Sequence, residues 1–353
     1  MLHMIDFSRF PFAEWDLLYR QFTDILDRPD DYRDAARGRV LASLFYEPST
    51  RTNFSFQAAM LRLGGGVFAM ADPKVTSVAK GETLRDTAIM CSGYADAMVM
   101  RHPVEGAAAA AALCSRVPVI NAGDGGHLHP TQTLTDLATL TRLRGSPSHM
   151  HIGLCGDLLH GRTVHSLVRA LAAFENVTFY LIAPRELSIP PYVRDFLHVR
   201  NQKYFEITGL EATLPQLDAL YMTRIQRERF AHPADYDRYK GIYLLTASKM
   251  ALAKKDLIIL HPLPRMDEIA IEIDNDPRAA YFEQARLGMT VRMALLLRLF
   301  EEGKRPLPFL PEPDTDLCCQ NPYCITHTER YLPARLSEEG GCYYCDGVMG
   351  PCV

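Results

Sequence analysis

The sequence predicts an α/β fold with two parallel-sheet α/β domains and a small C-terminal zinc-ribbon-like module. Short apolar runs typical of buried strands alternate with segments of helical periodicity, which is the order of βαβ units. The alternation restarts after residues 145–147, Gly-Ser-Pro, so a second domain of the same class is expected. Six of the nine cysteines lie between Cys318 and Cys352, beyond a proline-rich stretch, and this clustering indicates a separate module.

The composition is that of an ordinary globular protein. The chain has 353 residues, of which 48% are hydrophobic and 23% charged, so two domains can each bury a core. A net charge of −4 gives no indication of a nucleic-acid or membrane-surface partner. Charged residues interrupt every apolar run before the roughly 20 residues that a membrane helix needs. The first residues contain acids and lack the apolar core of a signal peptide, which favours a cytoplasmic location.

The first domain is expected to contain four strands joined by helices. Its predicted elements are helices within 12–37, a strand at 40–45, a helix at 53–63, a strand at 67–70, a loop at 71–81, a helix at 82–92, a strand at 97–100, a helix at 106–113 and a strand at 117–120. Strands connected in this way form a parallel sheet, and ligands bind at the carboxyl ends of such strands.

A helix from residue 131 to about 144 leads to the second domain, which repeats the pattern. Its predicted elements are strands at 151–155, 177–182, 219–222 and 256–260, a helix at 163–174, and an amphipathic helix at 281–302 that is expected to pack on the first domain. The expected boundaries are 1–147 for the first domain (completed by helix 284–302), 148–303 for the second, 304–314 for a stiff proline-rich linker and 315–353 for the terminal module.

Polar side chains follow three of the predicted strands. Residues 49–52, Ser-Thr-Arg-Thr, stand where a helix begins, and a helix N-terminus with an arginine suits a phosphate group. Alone, this stretch fits an ordinary capped helix with a solvated arginine equally well. Arg101 and His129 follow two other strands, so the three sets of side chains are expected at one edge of the sheet. Further cations in predicted loops are Lys80, Arg162 and Arg224. Several unpaired cations in one cleft would favour anionic substrates, because burying such charges is costly.

Other mechanisms lack support in the sequence. No cysteine or serine has an evident histidine and acid partner, and the glycine-rich stretches GGVFAM and GDGG lack the spacing of dinucleotide or P-loop motifs. The two main domains show no carboxylate and histidine cluster that would suggest a catalytic metal. Catalysis is therefore expected to depend on positioning and electrostatics.

Residues 1–305 resemble the aspartate carbamoyltransferases. The resemblance rests on the motifs STRT (49–52), KGETLRDT (80–87), MRHP (100–103), HPTQTLTDL (129–137), GDLLHGRTVHSL (156–167), MTRIQRER (222–229) and HPLPRMDEI (261–269). STRT alone would indicate only the wider carbamoyltransferase family, but ornithine enzymes typically have HCLP in place of HPLP and lack the MTRIQ-type loop. The resemblance implies transfer of the carbamoyl group of carbamoyl phosphate to L-aspartate, giving N-carbamoyl-L-aspartate and phosphate in de novo pyrimidine synthesis.

The resemblance also implies a role for each matching residue. The residues expected to hold the phosphate are Ser49, Thr50, Arg51 and Thr52, the last also near the carbonyl. The residues expected at the carbamoyl group are Arg101 and His129 on its oxygen, and Gln132 and the carbonyl of Leu263 on its nitrogen. The residues expected at aspartate are Arg162 on the α-carboxylate, and Arg224 and Gln226 on the β-carboxylate. Lys80, with Thr76 or Ser77, would come from a neighbouring subunit, which implies a homotrimer with shared active sites.

One departure from the usual pattern lies just after STRT. Asn53 and Gln57 stand where many relatives have an arginine and a glutamate, and they are four residues apart on the predicted helix. A neutral pair is therefore expected in place of an ion pair. Neither residue is among the expected substrate contacts.

The terminal module contains two close cysteine pairs, Cys319-x4-Cys324 and Cys342-x2-Cys345, separated by seventeen residues. Four thiolates at this spacing suit a tetrahedral structural zinc ion. The alternative is a disulfide-linked tail, which a cytoplasmic location disfavours; Cys318 and Cys352 are left without a role. Residues 315–346 also resemble the zinc domain of the separate regulatory chain of aspartate carbamoyltransferase, without the nucleotide-binding domain that precedes it there.

Two alternatives to this function remain. A carbamoyltransferase for another amino acid would leave Arg224 without an anionic partner. A non-catalytic scaffold, whose zinc module binds a partner chain or nucleic acid, would not need the complete catalytic set. The sequence leaves open whether trimers assemble further through the module, whether nucleotides regulate the enzyme, whether a separate regulatory chain binds, and whether the module packs on its own or a neighbouring subunit.

Overall fold

The computed structural model describes residues 3–7, 12–70, 72–226, 232 and 236–352. It divides into two units, one of residues 1–131 with 288–353 and the other of residues 132–287. Each unit contains one parallel sheet with helices in its connections, which confirms the predicted fold class. Among the helices of the described ranges, none has the length and apolar character to span a membrane.

The first unit is built on four parallel strands in the order β2-β1-β3-β4. Its strands are β1 (Val40–Phe45), β2 (Gly66–Ala69), β3 (Ala97–His102) and β4 (Val119–Asp124), and its helices are α1 (Phe12–Asp27), α2 (Thr50–Arg62), α3 (Leu84–Tyr94) and α4 (Ala107–Leu113). Strand β4 continues four residues beyond its predicted end. Its polar end can lie in the sheet because Asn121 Nδ2 donates to Asp124 Oδ1 (3.0 Å) and Asn121 Oδ1 accepts from Gly123 N (2.8 Å).

The second unit is built on five parallel strands in the order β7-β6-β5-β8-β9. Its strands are β5 (His151–Cys155), β6 (Thr178–Ile182), β7 (Lys203–Ile207), β8 (Ala219–Met222) and β9 (Ile258–Leu260). Its helices are α5 (Pro130–Arg144), α6 (Arg162–Leu171), α7 (Pro191–Val199), α8 (Ala247–Met250) and α9 (Tyr281–Phe300); α5 and α9 contain the two points where the chain passes between the units. The sequence analysis did not identify α7 or β7. Strand β7 lies at the sheet edge and is partly exposed, so it lacks the apolar run of a central strand.

The terminal module belongs to the first unit and packs on its own chain. Strands β10 (Leu317–Cys319) and β11 (Met349–Pro351) pair antiparallel within it. Buried side chains of the module, such as Ile325 and Tyr344, share one hydrophobic core with residues of α3 and α4. The linker at 304–314 contains no helix or strand in the structure, and its Phe309 is 97% exposed.

Backbone and side-chain bonds fix the module at one loop of the first unit. Glu105 N donates to Tyr323 O (3.1 Å), Ile325 N donates to Glu105 O (2.8 Å), and Asn321 Nδ2 donates to the Glu105 carboxylate (2.6 Å). Next to this loop, Gly106 has φ +84° and approaches Tyr344 so closely that an added Cβ would lie 2.6 Å from the tyrosine Cβ. The packing therefore requires glycine at this position.

Candidate active site and metal centre

Residues 49–52 form the start of α2, as the sequence predicts. Ser49 is the N-cap, but its side chain makes no capping bond, and the first helical turn contains no acidic residue. The positive end of the helix dipole is therefore not neutralised by α2 itself. Arg51 is exposed and Thr52 is buried. Partial burial of the otherwise exposed Arg51 side chain, and then the nearby charge of Arg101, lower the pKa of Arg51, so two cations from different elements lie near each other at this helix end.

Arg101 is the last residue but one of strand β3, and His129 follows strand β4 in the same unit. Arg101 Nε donates to Glu47 Oε1 (2.7 Å), so the prediction that Arg101 is an unpaired cation is wrong. The contact holds one edge of the guanidinium, and this fixes its orientation at the strand end. His129 is buried, with its Nδ1 3.4 Å from the Thr131 hydroxyl.

The neutral pair expected between Asn53 and Gln57 forms as predicted. Gln57 Nε2 donates to Asn53 Oδ1 (2.7 Å), and the same oxygen accepts a bond from Ser43 Oγ (2.9 Å). The pair links α2 to strand β1 without a charge, so it stabilises the start of the helix without adding a carboxylate to the anion site.

Lys80 lies in an exposed segment between β2 and α3 that also carries Thr76 and Ser77. Among the described residues, this segment has hydrogen bonds within itself, as from Ala79 N to Thr76 O (3.1 Å), and Glu82 at its end accepts from Thr87 Oγ1 of α3 (3.1 Å). The structure does not bring these three residues into hydrogen bonds with residues 49–52 of the same chain.

In the second unit, Gln132 lies in the first turn of α5. Its Nε2 donates to Asp136 Oδ1 (2.7 Å), and that oxygen also accepts from Gln284 Nε2 (2.6 Å). Donation through the amide nitrogen leaves the amide oxygen of Gln132 to accept from an N–H group, which is what a carbamoyl amino group requires. Gln132 and Asp136 are four residues apart on a predicted helix, so their contact could have been predicted from the sequence.

Two loops of the second unit hold the remaining cationic residues. Arg162 begins α6, and Arg224 and Gln226 follow β8. Gln226 Nε2 donates to the carbonyl of His160 (3.0 Å), so the structure brings the two loops together. Gly156, the first residue after β5, has φ +124°, and a Cβ there would lie 2.2 Å from the carbonyl oxygen of Thr223, the first residue after β8. The last residues of the MTRIQRER motif, 227–229, lie outside the described residues.

The loop after β9 places Leu263 in an unusual backbone conformation, with φ +53°. Its N–H donates to His261 Nδ1 (2.8 Å), and His261 Nε2 contacts Glu268 Oε1 (2.6 Å). Burial opposes the charge of Glu268, but bonds from His261 and from the Met266 N–H lower its pKa. A bulky residue at positive φ is costly, so this network holds the Leu263 carbonyl in a direction that it would not adopt alone. The sequence analysis missed both supporting residues, although they lie in the HPLPRMDEI motif.

The four cysteines predicted as ligands form a buried cluster, with all four sulfur atoms within 4.8 Å of one another. Cys319 and Cys345 sulfurs are 3.5 Å apart, and those of Cys324 and Cys342 are 3.8 Å apart. A tetrahedral site with metal–sulfur bonds of about 2.3 Å places its sulfurs about 3.8 Å apart, so the geometry fits a metal ion. Gly347 closes the site, because an added Cβ there would lie 3.1 Å from the Cys345 sulfur.

The other two cysteines of the module are joined to each other. Cys318 and Cys352 form a disulfide with Cα atoms 5.0 Å apart. The sequence assigns them no partner, because their proximity depends on the pairing of β10 with β11, which sets Cys318 opposite Gly350. The expectation that a disulfide-linked tail is disfavoured is therefore wrong for this pair, while the four predicted ligands remain free cysteines.

Known proteins with the same sequence pattern and fold are carbamoyltransferases. Profiles of the aspartate/ornithine carbamoyltransferase family match residues 2–142 (carbamoyl-P binding domain) and 148–299 (Asp/Orn binding domain). The aspartate carbamoyltransferase catalytic subunit of Clostridium perfringens is 52% identical over 302 residues, which are 85% of this chain and 98% of that protein. The subunit of Clostridium novyi is 52% identical over 297 residues, 84% of this chain and 97% of its own length.

Solved structures give the same result. The catalytic subunit of M. jannaschii aspartate transcarbamoylase superposes with a TM-score of 0.80 at 45% identity, covering 86% of this chain and 99% of that one. Aspartate transcarbamoylase from Trypanosoma cruzi, in complex with carbamoyl phosphate and aspartate, gives a TM-score of 0.79 at 36% identity, covering 84% of this chain and 96% of that one.

Proposed function

The chain belongs to the aspartate/ornithine carbamoyltransferase family, and we propose how its own residues carry out the reaction. It is an enzyme that transfers the carbamoyl group of carbamoyl phosphate to the amino group of L-aspartate, a step of pyrimidine biosynthesis. The observation that carries the proposed roles is the start of α2, where a helix end without acids meets two neighbouring arginines.

The phosphate of carbamoyl phosphate binds at the start of α2. The hydroxyls of Ser49, Thr50 and Thr52 and the guanidinium of Arg51 donate to its oxygens, and the helix end adds backbone N–H groups. The charge of Arg101 near Arg51 supports this role, because a bound dianion reduces the repulsion between the two guanidinium groups.

Four residues bind the carbamoyl group in this proposal. Arg101 and His129 donate to its oxygen, while the amide oxygen of Gln132 and the backbone carbonyl of Leu263 accept from its NH₂. When the amine of aspartate attacks the carbonyl carbon, negative charge develops on the carbamoyl oxygen, and the two donors stabilise it. The new C–N bond forms, the C–O bond to phosphate breaks, and the departing phosphate accepts the proton of the amine.

The aspartate side of the site uses the loops of the second unit. Arg162 binds the α-carboxylate, and Arg224 with Gln226 binds the β-carboxylate. The bond from Gln226 to the His160 carbonyl supports this assignment, because it joins the loop of one carboxylate to the loop of the other. An ornithine side chain would place an ammonium beside Arg224, so the same residues select against it.

Steady-state kinetics of single variants test these roles. Arg51→Ala should lower kcat/KM for carbamoyl phosphate by about 10- to 100-fold, the value of a hydrogen bond to a charged group. Arg224→Ala should mainly raise the KM for aspartate. Arg62→Ala is the matched control, since it removes an exposed arginine from the other end of α2. Equal kinetics for Arg51→Ala and Arg62→Ala would contradict the phosphate site.

We also propose a homotrimer in which Lys80, with Thr76 or Ser77, completes the site of a neighbouring subunit. The exposed position of the Lys80 segment supports this, as does its lack of hydrogen bonds with residues 49–52 of the same chain within the described ranges. Mixing the impaired Lys80→Ala and Arg51→Ala chains after dissociation tests the proposal. If sites are shared, the mixture regains activity, because some sites then combine both native residues, whereas sites built from one chain stay impaired.

The metal that we propose for the module is Zn²⁺, with Cys319, Cys324, Cys342 and Cys345 as its ligands. Zinc prefers four thiolates in a closed tetrahedral site, where its contribution is to folding and not to catalysis. Asn321 Nδ2 and the Thr326 hydroxyl lie 3.4 and 3.3 Å from the Cys345 and Cys324 sulfurs and would stabilise the thiolate charges.

A further inference from the structure

The segment that carries Lys80 is followed directly by helix α3. The first backbone N–H groups of α3 donate to side chains of the terminal module. Leu84 N donates to Glu329 Oε1 (3.0 Å), and Arg85 N donates to the Tyr331 hydroxyl (2.9 Å). The third amide of the helix, Asp86 N, donates to the local cap Thr83 Oγ1 (3.1 Å). Two of the first three amides of α3 therefore depend on residues some 245 positions later in the chain.

The Glu329 and Tyr331 side chains lie next to each other at the start of α3. The Tyr331 hydroxyl accepts from Arg85 N, and burial, followed by the neighbouring Glu329 carboxylate, raises the pKa of Tyr331. The negative charge of Glu329 at the helix N-terminus also interacts favourably with the helix dipole. Leu84 is buried in the hydrophobic core that α3 shares with Ile325 and Leu332 of the module.

The Lys80 segment depends on α3 for its position. At its start, Met70 N, just after β2, donates to Ser43 O of strand β1 (2.9 Å). At its end, Glu82 bonds back to Ser77 O and accepts from the Thr87 hydroxyl on α3 (3.1 Å). A shift of the first turn of α3 therefore moves the end of the segment, and Lys80 lies four residues before Leu84.

The metal ligands set the position of Glu329. Cys324 is followed by a 3-10 turn at Ile325–His327, Glu329 N donates to Ile325 O (2.8 Å), and Leu332 N donates to Glu329 O (3.0 Å). A metal ion bound by Cys324 and the other three ligands would hold this turn, and with it Glu329 and Tyr331, in place.

We propose that Glu329 and Tyr331 are positioning residues for Lys80, through which the terminal module keeps the active site competent. The inference rests on the proposed function, because it assumes that Lys80 acts in catalysis. It predicts that the module is required for full activity although it contributes no group to the substrates.

The test compares Glu329→Ala, Tyr331→Phe and Glu329→Gln in the full chain with metal bound. Glu329→Ala is expected to lower kcat/KM for carbamoyl phosphate about tenfold and to speed amide hydrogen exchange at Leu84. Glu329→Gln keeps an acceptor oxygen and is expected to restore most of the kcat/KM and most of the protection of the Leu84 amide from exchange. Tyr331→Phe removes one oxygen and should act in the same direction at Arg85, which covers the case in which Glu329→Ala fails to fold.

Glu339→Ala is the matched control, since it removes an exposed carboxylate of the same module. The specific readout is a double-mutant cycle with Lys80→Ala. If Glu329 acts through Lys80, then Glu329→Ala has no further effect on kcat/KM in the Lys80→Ala background.

The outcomes separate the two proposals. If Lys80→Ala keeps full activity, the proposed role of Lys80 is wrong, and the inference that depends on it is overturned as well. If Lys80→Ala is impaired while Glu329→Ala and Tyr331→Phe match Glu339→Ala in kinetics and exchange, only the positioning inference is overturned. Additive losses in the double variant would also overturn it.

Discussion

Gly106 gives the most direct test of how the terminal module is attached. The residue has φ +84°, and an added Cβ would lie 2.6 Å from Tyr344 Cβ and 2.8 Å from the Tyr344 carbonyl carbon and oxygen. Alanine in a left-handed conformation costs about 1–2 kcal/mol. The contact is with backbone, which cannot rotate away, and such overpacking costs about 1–3 kcal/mol more. Gly106→Ala should therefore lower the free energy of unfolding by about 2–5 kcal/mol.

Gly38→Ala is the matched control for this variant. Gly38 also has positive φ (+80°) and lies in the same unit, but a Cβ there meets nothing within 4 Å. It should lose only the backbone cost of about 1–2 kcal/mol. Urea unfolding of both variants gives the difference, and proteolysis in the linker at 304–314 reports whether the module has detached. A loss for Gly106→Ala no greater than that for Gly38→Ala would refute the packing described here.

Three further predictions concern the ion pairs of His127, the metal site and the Leu263 loop. His127 lies between Asp124 and Asp346 (3.1 Å to each); burial disfavours its charge, but the two carboxylates outweigh this and raise the pKa of His127 to about 10. The raised pKa stabilises the fold fully below about pH 6.5 and progressively less as the pH rises to 10. The difference in unfolding free energy between wild type and His127→Gln, about 2 kcal/mol at low pH, should therefore narrow over that range. A difference that stays constant with pH would contradict the ion pairs of His127 with Asp124 and Asp346. Cys342→Ser should lose the bound zinc while Cys352→Ser, outside the cluster, retains one ion per chain by elemental analysis, and equal zinc content in the two variants would count against the ligand set. Glu268→Ala should lower kcat about tenfold by releasing His261 and the Leu263 carbonyl, whereas Glu268→Gln should retain more activity; wild-type kcat in Glu268→Ala would show that the network is not needed.

Sequence periodicity predicts the central strands well because they are buried on both faces. Strands β5 and β8 begin and end where the sequence predicts, at His151–Cys155 and Ala219–Met222. Strand β7, at the partly exposed edge of its sheet, has no continuous apolar run and was missed. Strand β4 was predicted too short, because its polar end is satisfied by bonds between its own side chains, which periodicity does not show.

The residues of the site could be proposed from the sequence, but not most of their partners. The sequence predicts Arg101 just after a strand and the structure places it near the end of β3, but only the fold shows that Glu47, fifty-four residues earlier, holds its guanidinium. The same is true of Glu329 and Tyr331, which reach α3 across some 245 residues. The cysteine spacing predicts the metal cluster, because its ligands are close in sequence, whereas the Cys318–Cys352 pair depends on the pairing of two strands.

The central claim is that this chain carbamoylates aspartate with an anion site at the start of α2. The measurement is formation of the N-carbamoyl product from carbamoyl phosphate with aspartate, and with ornithine in a parallel reaction, by wild type and Arg51→Ala. The account predicts turnover with aspartate alone and a loss of about 10- to 100-fold in the variant. No turnover with either amino acid, from folded and zinc-loaded protein, would contradict it.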